Sequence, residues 1–176
     1  MKPFFEMIEY LFIQENAPLE TEVMDILKQE FGKRSSLYYS ILNSIALGKT
    51  RLNEIAGSVQ MKESSITRHL IELEEKFNLI RSLKPLGNKK NTHYYLNHPL
   101  MEFWFRFVYG KFSNYSLRNT KQLMKEINQQ FNGFFGKRFE EICKESLILL
   151  NAKNKLPFKI EYLSNWWGYK RENNER

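Results

Sequence analysis

The chain has one cysteine, Cys143, in 176 residues. No intrachain disulfide can form, which suits a reducing compartment, so the expected location is the cytoplasm. Cys143 and three scattered histidines do not make a structural zinc site. Aspartate is almost missing as well: Asp25 is the sole one, and every later carboxylate is a glutamate. Metal-dependent phosphodiester chemistry and kinase-type sites usually rely on Asp. No GxxxxGK[ST], GxGxxG or HExxH stretch occurs. No enzyme activity, catalytic residue, metal or cofactor is therefore expected of this chain. No apolar run approaches the roughly 18 residues of a membrane span, and the opening MKPFFEMIEYLF carries Glu6 and Glu9 inside its apolar stretch. That pattern is an amphipathic helix and not a signal peptide.

What is present is a basic chain, net +7, of which 42% is hydrophobic and 15% aromatic, enough for a core. The charge is uneven. Residues 1–34 hold four Lys/Arg against seven Asp/Glu, residues 35–98 nine against five, and residues 99–176 fourteen against eight. The first segment is acidic and the remainder basic, a balance that favours a polyanionic partner.

Hydrophobic spacing predicts helices over residues 3–14 and 19–31, the second carrying Val23, Leu27 and Phe31 and ending at Gly32. These two are too small for a core of their own. A third helix is expected over residues 36–47, ended by Gly48, and a fourth with Thr50 as N-cap and Leu52, Ile55 and Ala56 inward. A fifth, residues 63–77, turns Ile66, Leu70, Leu73 and Phe77 inward. Residues 79–84 and 92–96 then flank the basic, turn-rich tip Pro85 to Asn91, which predicts a β-hairpin. Three helices followed by a two-stranded hairpin is the winged helix-turn-helix pattern. Residues 99–110 fit both period two and period 3.6 and are taken as helix, with the FWFRF run as core and Arg106 outward. Two more helices are expected over residues 117–131 and 133–150, parted near Gly133. Phe158, Ile160 and Tyr162 at alternate positions suggest a short strand or extended segment. Cys143, among Ile142, Leu147 and Leu150, is expected to be a buried thiol. The fold class is thus mainly α with a small β-hairpin: a winged helix-turn-helix plus a helical C-terminal segment.

A winged helix grips DNA by laying its second helix in the major groove while the wing reaches a neighbouring phosphate or groove. The donors required are at hand. Ser64, Ser65, Thr67, Arg68 and His69 lie on the exposed part of the fifth helix, Lys89 and Lys90 at the wing tip, and Lys49 and Arg51 before the fourth helix. Double-stranded DNA is the expected partner. Any exposed helix face is polar, however, and Glu63 and Glu72 would repel phosphate, so the alternative is a protein–protein interaction or oligomerisation module that does not touch DNA.

Several phrases in order, "YYSILNSIALGKTRLNEIAGSVQMKESSITRHLIELEEKFNLIRSLKP", "YYLNHPLMEFWFRFVYG", "GKRFEEICKESL" and "LSNWWG", resemble the C-terminal half of the prokaryotic DEXX-box ATPases of the AAA+ type. The resemblance covers about residues 20–168. It implies three parts: residues 1–34 as the tail of an ATPase lid, residues 35–98 as the winged helix, and residues 99–176 as a truncated nuclease-like domain of the PD-(D/E)xK kind. It matches Glu140 to that family's helix acid, whose companion metal ligands would follow the Trp pair. The sequence ends at Arg176 before any appears, so the resemblance implies a non-catalytic fragment without an ATP site. Trp166 and Trp167 would then lack their usual cover, and are expected to fold back on residues 99–150, to mediate self-association, or to remain partly exposed.

Overall fold

The computed structural model describes residues 2–19, 21–32, 35–84, 92–109 and 119–163. Helix α1, Lys2–Ile8, runs on into a wider π-helical turn, Glu9–Ile13, where the Gln14 amide reaches the Glu9 carbonyl at 2.9 Å. Helix α2, Glu22–Phe31, buries Val23, Leu27 and Phe31 and stops at Gly32, whose φ of 55° suits a residue without a side chain. Helix α3, Ser35–Ala46, buries Tyr38, Ile41, Leu42 and Ile45.

Helix α4 is Leu52–Ser58 and α5 is Glu63–Ile71, the latter again continuing as a π-helical turn, Glu72–Lys76. Ile55, Ala56, Ile66, Leu70 and Leu73 are buried as their spacing predicts. The expected N-cap of α4 is corrected: the cap position is Arg51, not Thr50. The Thr50 hydroxyl is taken by the His93 ring nitrogen Nδ1 at 2.8 Å, a partner 43 residues away. The Glu54 carboxylate accepts instead from the amides of Arg51 (3.1 Å) and Thr50 (3.0 Å), satisfying two of the donors that a helix start exposes. The Arg51 amide bond, aided by that from Thr50, holds the Glu54 carboxyl below its usual range.

The hairpin is present: β1, Ile80–Leu83, pairs antiparallel with β2, His93–Leu96, in the register Ile80 to Leu96 and Leu83 to His93. A third rung is added from before α4. Arg51 bridges to His93, and the Tyr94 amide donates to the Thr50 carbonyl at 2.8 Å. This joins the ribbon to the start of the scaffold helix, as a winged helix requires.

Helix α6, Pro99–Phe107, buries Met101, Phe103, Trp104, Phe105 and Phe107, and leaves Glu102 and Arg106 on a narrow polar stripe one turn apart. The FWFRF run is core, and Arg106 turns out to hydrogen-bond the Gln130 side-chain oxygen at 3.3 Å.

Beyond it, the two expected helices are one. Helix α7 runs unbroken for 33 residues, Thr120–Ala152, through Gly133 and Gly136. Glycine inside a helix costs only about 1 kcal/mol, and Phe131 and Phe134, on either side of Gly133, both pack into the core and hold the helix through it. Phe134 lies 5.9 Å from both Phe103 and Phe107 of α6.

Of the strand or extended segment expected near residues 158–162, the strand does not form; the Asn151 side chain binds both the amide (2.8 Å) and the carbonyl (2.9 Å) of Ile160, leaving them unavailable to a ladder. Buried residues of all three sequence segments, from Ile8 to Phe134, form one cluster. Among the described residues no helix is long and apolar enough to cross a membrane.

Candidate nucleic-acid interface

The turn between α4 and α5 is fixed by the amides of Val59 and Met61 on the carbonyls of Ile55 and Ala56, with Gln60 at a φ of 56°. This sets α5 with Ile66 and Leu70 inward and its opposite side open. Ser64, Ser65 and Arg68 are exposed. The Arg68 side chain forms no ion pair or hydrogen bond with the described residues, so its guanidinium is available to an incoming acceptor.

Thr67 and His69 sit less openly. The Thr67 hydroxyl donates to the Glu63 carbonyl at 2.8 Å, and the half-buried His69 ring lies edge-on to Tyr38, ring centres 5.7 Å apart. His69 Nδ1 is buried without a hydrogen-bond partner among the described residues. Of the two acidic residues expected to repel phosphate, Glu72 is drawn inward: its carboxylate accepts from the Tyr38 hydroxyl and pairs with Lys76 at 3.7 Å. Glu63 stays exposed at the first turn of α5.

Lys49 and Arg51 are exposed, Arg51 at its bridge to β2. Lys89 and Lys90 lie outside the described residues, as do Trp166 and Trp167. Lys84, at the foot of the wing, is exposed and is a basic residue that sequence reasoning passed over.

The base of the wing carries a titratable group. Burial, and then the nearby Arg51 charge, push the His93 imidazole below its ordinary range. The unfolded chain thus binds a proton at His93 more readily than the folded one. The contribution is whole above about pH 6.5, and stability declines as pH falls below that value toward the folded pKa. A denaturation series from pH 8 to pH 5 (about three units, spanning that ordinary value) is expected to show this decline, and the His93→Gln variant a shallower one. Equal slopes in both proteins would remove His93 as its source.

Sequence reasoning missed a second polar feature altogether. Arg138 of α7 pairs with Glu102 of α6 and, at 2.5 Å, with Glu141; Glu141 also pairs with Arg81 of β1. These four residues tie wing, α6 and α7 together. Their separations of 36 and 60 residues leave no local signal. The neighbouring Glu140 is mostly exposed and pairs with Lys144 at 2.6 Å. Among the described residues no three His, Cys, Asp or Glu side chains come together as a metal site. The expectation of a buried Cys143 is corrected: the thiol is only half-buried, because the apolar residue beside it, Ile142, faces outward.

A family model described as archaeal and bacterial proteins of unknown function (DUF234) matches residues 104–175. An uncharacterized protein of Methanocaldococcus jannaschii, MJECL04, is 31% identical over 171 residues, which cover 94% of this chain and 37% of the relative. Among solved structures, NadR in complex with 4-hydroxyphenylacetate overlays with a TM-score of 0.34 at 17% identity, covering 77% of this chain and 90% of that one. A variant of Lactococcus lactis ZitR gives 0.35 at 15% identity, covering 80% and 99%. Likeness at that level is too slight to carry fold or function. The chain is similar to prokaryotic proteins of unknown function, and spans about 37% of the length of the archaeal relative that it matches.

Proposed function

We propose that this chain is a non-catalytic winged-helix module that binds double-stranded DNA, with α5 as the helix that enters the major groove. One observation carries the reading: the outward side of α5 presents Ser64, Ser65 and an uncommitted Arg68, while the nearby carboxylate of Glu72 is withdrawn onto Tyr38. The ribbon joined to Arg51 supplies a wing. In longer relatives the module would serve a DEXX-box AAA+-type ATPase, with residues 1–34 as the lid tail and residues 99–176 as the start of a nuclease-like domain. The archaeal relative, of which the match covers only 37%, has length to spare for such a domain.

Fluorescence anisotropy on a duplex tests this. With about four phosphate contacts, log K falls against log salt with a slope of roughly −3.6. Arg68→Ala is expected to weaken binding to a selected site by 1–3 kcal/mol, about 5- to 150-fold, if Arg68 meets a guanine edge. Replacing both Lys89 and Lys90 with Ala is expected to flatten the slope by roughly 1.8. Absence of duplex binding at about 50 mM salt sinks the reading. It would favour the second one, an interaction module without DNA contact, which the exposed apolar side of α7 supports.

A further inference from the structure

The two halves of α7 differ. Leu123, Ile127, Phe131 and Phe134 of the first half seal the core. In the second half Phe135, Phe139, Ile142 and Leu149 are 47%, 56%, 54% and 59% exposed. With Ser146 they recur at intervals of four, three, four and three residues, so they line one stripe along the helix. A stripe of that kind is what a helix shows to a packing partner. Phe135 stacks on Phe131 (5.5 Å) and on Phe139 (6.3 Å), so the seam begins as a continuous aromatic ridge. The described tail does not cover it: Asn151 holds Ile160 while Phe158 and Tyr162 point away from burial.

We infer that this seam pairs with the same seam of a second copy, the two α7 helices running antiparallel about a two-fold axis near Ile142. Two observations select this occupant. The first is area. A buried Phe covers about 150–250 Å², so the exposed halves of these side chains with Leu150 come to roughly 500 Å² per copy. A pair then buries about 1,000 Å², the threshold of a specific interface. The second is symmetry. The seam holds no charged residue between Phe135 and Leu149, and its midpoint is Ile142, so an isologous pairing matches bulky ends with bulky ends. Cys143 falls at one edge of the seam, next to its own counterpart.

Sedimentation equilibrium of the full chain from about 1 to about 100 µM is expected to show a monomer–dimer equilibrium. Ile142→Glu, and independently Leu149→Lys, are expected to weaken it at least 30-fold while leaving circular dichroism unchanged, and to leave the unfolding midpoint unchanged at concentrations where the wild type is also monomeric, because both side chains are exposed in the monomer. A bismaleimide with a reach of about 8–10 Å, the spacing of packed helices, is expected to link two wild-type copies through Cys143, and Cys143→Ser to abolish the link. A monomer at about 100 µM, or a dimer indifferent to both substitutions, overturns the inference. A dimer that dissociates in Ile142→Glu but never cross-links at Cys143 overturns the antiparallel arrangement.

Discussion

Trp104→Ala is expected to lower the unfolding free energy by about 3–5 kcal/mol, the cost of emptying a fully enclosed aromatic site. Trp104 is 0% exposed, with Phe105 at 5.1 Å and Tyr109 at 5.3 Å between ring centres. It sits in α6, the element that joins the winged helix to α7. A typical domain holds only about 5–15 kcal/mol in all, so the variant approaches the edge of stability. Because buried residues before and after α6 belong to one cluster, the loss should be felt by the whole molecule. Urea unfolding is expected to stay a single transition whether followed by near-ultraviolet or far-ultraviolet dichroism, with an unchanged slope on denaturant. Trp104→Phe is expected to cost less, since much of the ring volume remains. A loss under about 1 kcal/mol for the alanine variant, or two separate transitions, would mean that residues 99–152 do not share a core with the wing.

The second large effect is electrostatic. Arg138 and Glu102 side chains are 11% and 13% exposed. Removing the arginine leaves a nearly enclosed carboxylate without its partner, and breaking such a pair typically costs about 3–5 kcal/mol. Arg138→Met is expected to fall in that range by urea unfolding. The pair itself is not the source of the number. Most of the loss is the stranded charge, so the double variant Arg138→Met/Glu102→Leu is expected to recover most of it. Arg81→Ala is expected to cost far less, because Arg81 and Glu141 are each about a third exposed and water screens their attraction. Near-equal losses in the single and double variants would show that Arg138 matters through packing of its aliphatic stem and not through its charge.

The winged helix was legible because its determinants are local. Ile66, Leu70 and Leu73 fall on one face by spacing alone, and the hairpin is marked by apolar strands around a turn-rich tip. Helix α6 was ambiguous for a physical reason: its one polar stripe is two residues, Glu102 and Arg106, and even-numbered positions fit a period of two as well as a helical turn. Gly133 misled because a glycine signals a break only when nothing else holds the helix, and Phe131 and Phe134 do hold it. The alternation of Phe158, Ile160 and Tyr162 looked like a strand, yet a strand needs a neighbour to pair with, and Asn151 had already taken the backbone groups. Cys143 was misplaced since apolar neighbours read the same whether they face a core or a partner. Only the fold, which leaves Phe135, Phe139, Ile142 and Leu149 exposed, distinguishes the two. The exposure of Arg68, Ser64 and Ser65 was legible because the open side of an amphipathic helix is a local pattern. The Arg81–Glu141–Arg138–Glu102 cluster was not, because each link spans a distance that only folding closes.

Thirty-three helical residues make α7 a rod of about 50 Å, clasped by the core only as far as Phe134. What lies past that clasp is a cantilever, rooted in the enclosed Arg138–Glu102 pair and touching the β1 ribbon through the part-exposed Arg81. A sideways load on the far end of the beam would meet its stiff support at α6 and only a water-screened one at the wing.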